Sequence, residues 1–179
     1  MNNLILPFIE TEITTKISLL PYELNNDILY NIKNKLKTFE KKCIDIGYLD
    51  KTINIKEYKD GIIYPEDLMC KAMYTVTYSA IICDPPVHSI IITKLKKIDN
   101  TLISSENEPI QVLTQVSKIE DNFKIENGNI TIYDKTLTTG DYIKIKVLAK
   151  KFNINDTIIR VFGSIVGIPT EKEIFEFYK

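Results

Sequence analysis

The sequence predicts an α+β fold in two parts: a small strand, helix and strands domain over 1–84 and a five-stranded closed β-barrel over 85–168, followed by a tail over 169–179. Three observations predict it. Helical periodicity occurs once at length, near the start, where Ile28, Leu29, Ile32, Leu36 and Phe39 recur at three- and four-residue spacing. Asp84-Pro85-Pro86 interrupts a long apolar run, since two consecutive prolines remove two backbone donors and hold the chain extended. Beyond it come only short β-rich segments separated by turn residues.

Taken in order, Leu4 to Leu20 is expected as an extended segment that stops at Pro21. Asn25 or Asn26 is the expected N-cap of the helix, Asp27 favours its positive end, and Lys33, Lys35, Lys37, Lys41 and Lys42 mark its wet side. Cys43 to Lys59 turns strand-like, Asp60-Gly61 followed by Tyr64-Pro65 marks a turn-rich loop, and Met73 to Ile82 is β-branched and aromatic enough for a central strand. The barrel strands are expected at Ser89–Ile98, Ile110–Ser117, Phe123–Tyr133, Tyr142–Lys150 and Ile158–Val166. Their breaks fall at Asp99-Asn100, Asn107-Glu108-Pro109, Glu120-Asp121-Asn122, Gly140-Asp141 and Asn153 to Asp156. Five short strands in about 80 residues suit a barrel of the OB type, which removes sheet edges by closing on itself. Glu171 to Tyr178 adds a helical turn or two.

Composition excludes several functions. The 179 residues are 44% hydrophobic and 26% charged, as in globular chains, and the formal net charge of -1 excludes a polybasic nucleic-acid binder. No apolar stretch has the length of a membrane span and Met1 to Ile9 lacks the pattern of a signal peptide, which predicts a soluble intracellular protein with no membrane partner. Without a secretory signal the triplets Asn129-Ile130-Thr131 and Asn155-Asp156-Thr157 carry no glycan. Cys43, Cys70 and Cys83 have neither zinc-site spacing nor an even count, so buried thiols are expected. His88 is the only histidine, without a nucleophile or acid at a recognisable spacing, and is expected as a linker residue. No phosphate-binding glycine loop and no D-x-D-x-D cluster occurs, so neither catalysis nor a cofactor is expected of this chain.

An ordered set of stretches resembles the larger stalk subunit of multisubunit RNA polymerases, the family of the seventh subunit of RNA polymerase II and its archaeal counterpart. Met73-Tyr74-Thr75-Val76-Thr77-Tyr78-Ser79-Ala80-Ile81-Ile82-Cys83-Asp84-Pro85 is similar to the last strand of that family's RNP-like first domain. Gly61-Ile62-Ile63-Tyr64-Pro65 resembles its tip loop. Asp141-Tyr142-Ile143-Lys144-Ile145-Lys146-Val147, Asn153 to Asp156 and Phe162-Gly163-Ser164-Ile165 resemble its last two barrel strands. The resemblance runs from Ile9 to about Gly167.

It implies a non-catalytic subunit whose tip loop, Gly61, Ile62, Ile63, Tyr64 and Pro65, plugs into the polymerase core beside the clamp. The implied partners are the largest polymerase subunit, the small subunit at the clamp base, a smaller helical stalk subunit where one exists, and nascent RNA. Three departures accompany it. Glu66, Asp67 and Leu68 replace the tip's further glycines, Val87-His88-Ser89 replaces the glycine that opens the barrel, and the Gly-Phe stacking pair is absent around Asn100-Thr101-Leu102. With the Lys-, Ile- and Asn-rich usage of an AT-rich genome, they suggest a large DNA virus, acting in virion and host cytoplasm; a divergent protist subunit, acting in the nucleus, fits too.

Read from the residues alone, Gly61 supplies a φ > 0 turn and Pro65 stiffens it, leaving Ile62, Ile63 and Tyr64 either to dock on a partner or to fold back into their own core. Along Tyr142 to Lys150, alternation sends Ile143, Ile145 and Val147 inward and Tyr142, Lys144 and Lys146 outward. With Lys94, Lys96, Lys150, Lys151 and Arg160, the outward set makes either a basic strip for RNA, with Tyr142, Phe123 or Tyr133 to stack on a base, or a lysine defence of an exposed strand. A free-standing RNA-binding regulator on the same barrel is the rival function.

Overall fold

The computed structural model describes residues 4–99, 101–116, 123–126, 129–132 and 135–178. Its first sheet has the order β1-β5-β3-β2, formed by β1 (Phe8–Leu19), β2 (Lys42–Ile44), β3 (Gly47–Tyr58) and β5 (Ala72–Cys83), with the short β4 (Ile62–Ile63) paired to one end of β5. β1 and β5 are antiparallel in unbroken register, Phe8 opposite Cys83 through Leu19 opposite Ala72. The expected central strand is therefore central, and its even-numbered side chains, Tyr74 to Ile82, form the buried face.

A 3-10 turn over Pro21–Glu23 leads into α1 (Ile28–Lys37), which lays Ile32 and Leu36 against Ile17, Leu19, Leu49 and Val76. The cap position is Asp27, one or two residues later than expected. Asn25 closes the preceding turn instead: its Oδ1 accepts the Asp27 N–H at 2.9 Å and the Asn31 side-chain amide at 3.1 Å. Leu29 and Phe39, at the two ends of the helical stretch, are exposed, because Ile32 and Leu36 already fill the space above the sheet. Lys33, Lys37, Lys41 and Lys42 are on the wet side as expected, Lys41 holding Asp50 there, whereas Lys35 is half-buried and holds Glu23.

The second unit is a closed barrel in the order β12-β13-β8-β7-β6, from β6 (Ile90–Ile98), β7 (Leu102–Asn107), β8 (Ile110–Gln115), β12 (Tyr142–Lys151) and β13 (Ile159–Gly167). Neighbours pair antiparallel except β8 with β13, and β12 closes on β6, which is OB-like connectivity. Ile143, Ile145 and Val147 are fully buried, as the alternation requires, and share the core with Ile91, Leu95, Ile103, Val112, Val161 and Ile165.

The barrel has the expected number of strands but not the expected set. β7 occupies a stretch with no predicted strand, because Ser104, Ser105, Glu106 and Asn107 lack apolar alternation. Ser105 is nonetheless buried, its hydroxyl 2.9 Å from that of Thr93 on β6, so a polar pair fills a core position. The predicted strand Phe123–Tyr133 is instead divided between β9 (Phe123–Glu126) and β10 (Asn129–Ile132), which with β11 (Lys135–Leu137) form a separate three-stranded sheet.

Sheet and barrel are joined by backbone as well as side chains. Cys43 N–H donates to the Asp156 carbonyl at 2.7 Å, and Asn155 N–H returns a bond to the Cys43 carbonyl at 2.8 Å. Cys43, Tyr48 and Cys83 belong to the barrel's core cluster, and Lys150 is paired with Asp84. The buried-thiol expectation holds for Cys43 and Cys83 and fails for Cys70, which is exposed. Burial pushes the Cys43 thiol up to about 11 and that of Cys83 up to about 12. The tail contains α2 (Glu171–Phe177). No helix among the described residues is long and apolar enough to cross a membrane.

Candidate functional site

The loop between β3 and β5 is built outward from Tyr74. This ring is buried on β5, with the Tyr58 ring 6.3 Å away, and Lys59 N–H donates to the Thr75 carbonyl at 2.9 Å. Gly61 follows, and a Cβ there would lie 2.6 to 2.9 Å from three atoms of the Tyr74 ring and hydroxyl. The glycine is thus required for close approach; its φ is not in the left-handed region that the sequence suggested. β4 then pairs Ile62 with Met73 and Ile63 with Ala72.

Past Pro65 the chain makes two successive turns, Asp67 N–H to the Tyr64 carbonyl at 3.0 Å and Cys70 N–H to the Asp67 carbonyl at 2.8 Å. The Asp67 carboxylate also accepts the Met69 N–H at 2.9 Å. Cys70, with φ of 50°, takes the left-handed position that lets the chain return into β5. Within this frame Ile62, Ile63 and Tyr64 are exposed, so they do not fold back into their own core. Leu68, 97% exposed, and Met69 extend the patch beyond the five residues that the sequence points to. Two large apolar side chains in a loop otherwise dominated by turn and charged residues were the available signal.

The basic strip is divided. Lys94 lies opposite Tyr142 in the β6–β12 pair and is exposed, as is Lys146, and neither has an ion-pair partner among the described residues. Lys96 is paired with Glu106, Arg160 with Asp156 at 3.6 Å, and Lys144 with Glu173 at 2.6 Å. The last pair is four-fifths covered, because α2 lies along β12: the Tyr178 ring sits 5.5 Å from that of Tyr142, and Phe177 enters the barrel core. Tyr142 and Lys144 are therefore partners of α2, which the sequence showed only as a tail. Phe123 begins β9, and Tyr133 lies outside the described residues.

α2 is fixed by a reciprocal cap: Glu173 accepts the Thr170 N–H at 2.8 Å while its own N–H reaches the Thr170 hydroxyl at 3.4 Å. The bond from Lys144, then that from Thr170, holds the Glu173 carboxyl down to about 2. His88, at φ of 70°, donates its N–H to the Val147 carbonyl in the linker into β6. Among the described residues no group of three or more His, Cys, Asp or Glu is placed to hold a metal ion.

No protein-family model matches the chain. A protein of Acanthamoeba polyphaga mimivirus, named as a putative DNA-directed RNA polymerase subunit, is 30% identical over 174 residues, covering 93% of this chain and 86% of the relative. Likeness of that degree over nearly the full length of both proteins cannot come from a shared barrel alone, and the chain belongs to the family of virus-encoded DNA-directed RNA polymerase subunits.

Proposed function

We propose that this chain is the larger stalk subunit of its polymerase, a non-catalytic protein that docks on the enzyme's core through the β3–β5 loop. One observation carries the reading. Ile62, Ile63, Tyr64, Leu68 and Met69 are all exposed on a single loop whose backbone is braced by β4, two turns and the Gly61–Tyr74 contact. Five exposed apolar side chains gathered on one projecting loop mark an interaction site, and a preformed loop loses little conformational entropy on docking. Gly61 to Pro65 on this loop are also the residues whose sequence resembles the tip loop of the stalk family. Its partners in this reading are the largest polymerase subunit and the small subunit at the clamp base, and the barrel stands along the path of the emerging transcript. The protein then acts in initiation and in handling nascent RNA, in the virion and the host cytoplasm.

The test is affinity capture of the tagged chain from infected cells, beside an Ile63→Asp, Leu68→Asp variant. Both side chains are exposed, so the variant keeps its fold. The wild type is expected to bring down the large polymerase subunits and the variant to lose them by about tenfold or more, as for loss of a buried apolar anchor. Equal capture by both chains contradicts docking through the tip.

A further inference from the structure

We infer that the outer edge of β1 is a pairing surface for a second copy of this chain, the two β1 strands running antiparallel about a twofold axis at Ile13. β1 ends the first sheet, and among the described residues no strand lies beyond it. The opposite edge, at β2, is closed by the backbone bonds of Cys43 to Asn155 and Asp156. β1 is different: it is 12 residues long, contains no proline and keeps unbroken register with β5. Shortness, proline and bulges are common defences of an edge strand. None is present here, so a long row of backbone donors and acceptors is available to another strand.

Charge selects the occupant. Side chains alternate along β1, with Ile9, Ile13 and Ile17 on the face that α1 packs against and Glu10, Glu12, Thr14 and Lys16 on the other. Directly opposite residues of an antiparallel pair share a face, so an axis at Ile13 sets each Glu10 against Lys16 of the second copy and each Glu12 against Thr14. Glu10 and Lys16 are both exposed, and neither has an ion-pair partner among the described residues, whereas Glu12 is already held by Lys56. The two free charges are thus the two that the axis brings together.

On the α1 face the same register lays Ile13 on its own counterpart and Ile9, which is 53% exposed, against Ile17 of the second copy. Ile13 is also at the middle of β1, so nearly the whole strand is paired. Neighbouring registers are poorer. An axis at Thr11 or Glu12 opposes glutamates, and an axis at Thr14 brings Lys16 to Glu12, which Lys56 occupies. β4 pairs with Ala72 and Met73 on the side of β5 away from β1, so the surface is separate from the tip and does not rest on the stalk reading.

The test is sedimentation velocity of the full chain over a range of concentrations. The wild type is expected to pass from monomer to dimer as concentration rises. Lys16→Glu opposes like charges at both pairs and is expected to weaken association about tenfold, and Glu10→Lys does the same with the opposite sign. Both residues are exposed, so the variants keep their fold. Mixed in equal amounts, the two variants regain opposite charges at both pairs and are expected to associate with each other about as tightly as the wild type with itself. Ile63→Asp with Leu68→Asp in the tip is expected to dimerise like the wild type, so failure of docking and failure of edge pairing are separately visible. The proposal is overturned if the wild type stays monomeric throughout, if neither charge reversal weakens the dimer, or if the mixture associates no better than either variant alone. It is also overturned if the tagged chain captures no untagged copy of itself while Lys16→Glu loses a different protein, which gives the edge to a strand of another subunit.

Discussion

At the scale of single residues, Gly61 against Tyr74 in the tip and Gly163 in the barrel stand where neighbouring atoms leave no room for a Cβ. Gly163 is paired with Val147 where β13 runs antiparallel to β12, and a Cβ would be 2.3 Å from Ile145 Cγ2 and 2.9 Å from the Lys146 carbonyl oxygen. Backbone cannot yield there, so Gly163→Ala is expected to cost about 3 kcal/mol by overpacking. Gly167→Ala, with nothing within 4 Å, is expected to be nearly neutral, and thermal unfolding of the two variants compares them directly. Glu173 gives the residue scale its pH dependence. Its folded carboxyl is held at about 2 against an ordinary 4.5, so its contribution is complete above about pH 4.5 and is lost as pH falls towards about 2. Amide protection over 171–178, taken relative to the intrinsic exchange rate at each pH, should therefore fall through that window in the wild type. Glu173→Gln should exchange faster at neutral pH and show no such acid transition. A wild type whose α2 protection is unchanged through the window contradicts the role given to the Lys144–Glu173 pair.

At the scale of elements, the sequence is legible wherever burial imposes a period. β5, the helix core of Ile32 and Leu36, and the inward alternation of Ile143, Ile145 and Val147 all follow from apolar spacing. Where a core position is polar the period disappears, and β7, with Ser105 bonded to Thr93, gives no strand signal for that reason. A continuous β-rich run does not reveal where it is divided, so Phe123–Tyr133 reads as one barrel strand although β9 and β10 pair with each other. The tip is legible as a loop, but the role of Gly61 is not, because the Tyr74 ring that excludes a Cβ lies 13 residues further along the chain. The covering of Tyr142 and Lys144 by α2 is hidden in the same way. Thr170→Ala removes one half of the α2 cap and is expected to destabilise that helix by about 1 kcal/mol, measured as faster exchange confined to 171–178.

At the scale of the whole molecule, the sheet presents an apolar tip and the bare edge of β1, and a shared core around Cys43, Tyr48 and Cys83 joins it to the barrel. The central claim is that the tip is the part of this chain that enters the polymerase. The molecule carries its own probe for it, since Cys70 is exposed in the tip loop while Cys43 and Cys83 are buried with their thiols raised to about 11 and about 12. The most direct measurement is therefore to attach a thiol-directed photo-crosslinker to the wild-type chain, which labels Cys70, assemble it with its polymerase, irradiate, and identify the crosslinked proteins by mass spectrometry. The account predicts that Cys70 crosslinks to the large polymerase subunits and that Ile63→Asp with Leu68→Asp abolishes those products. Assembly of the labelled chain into the polymerase with no crosslink from Cys70 to any polymerase subunit would contradict it.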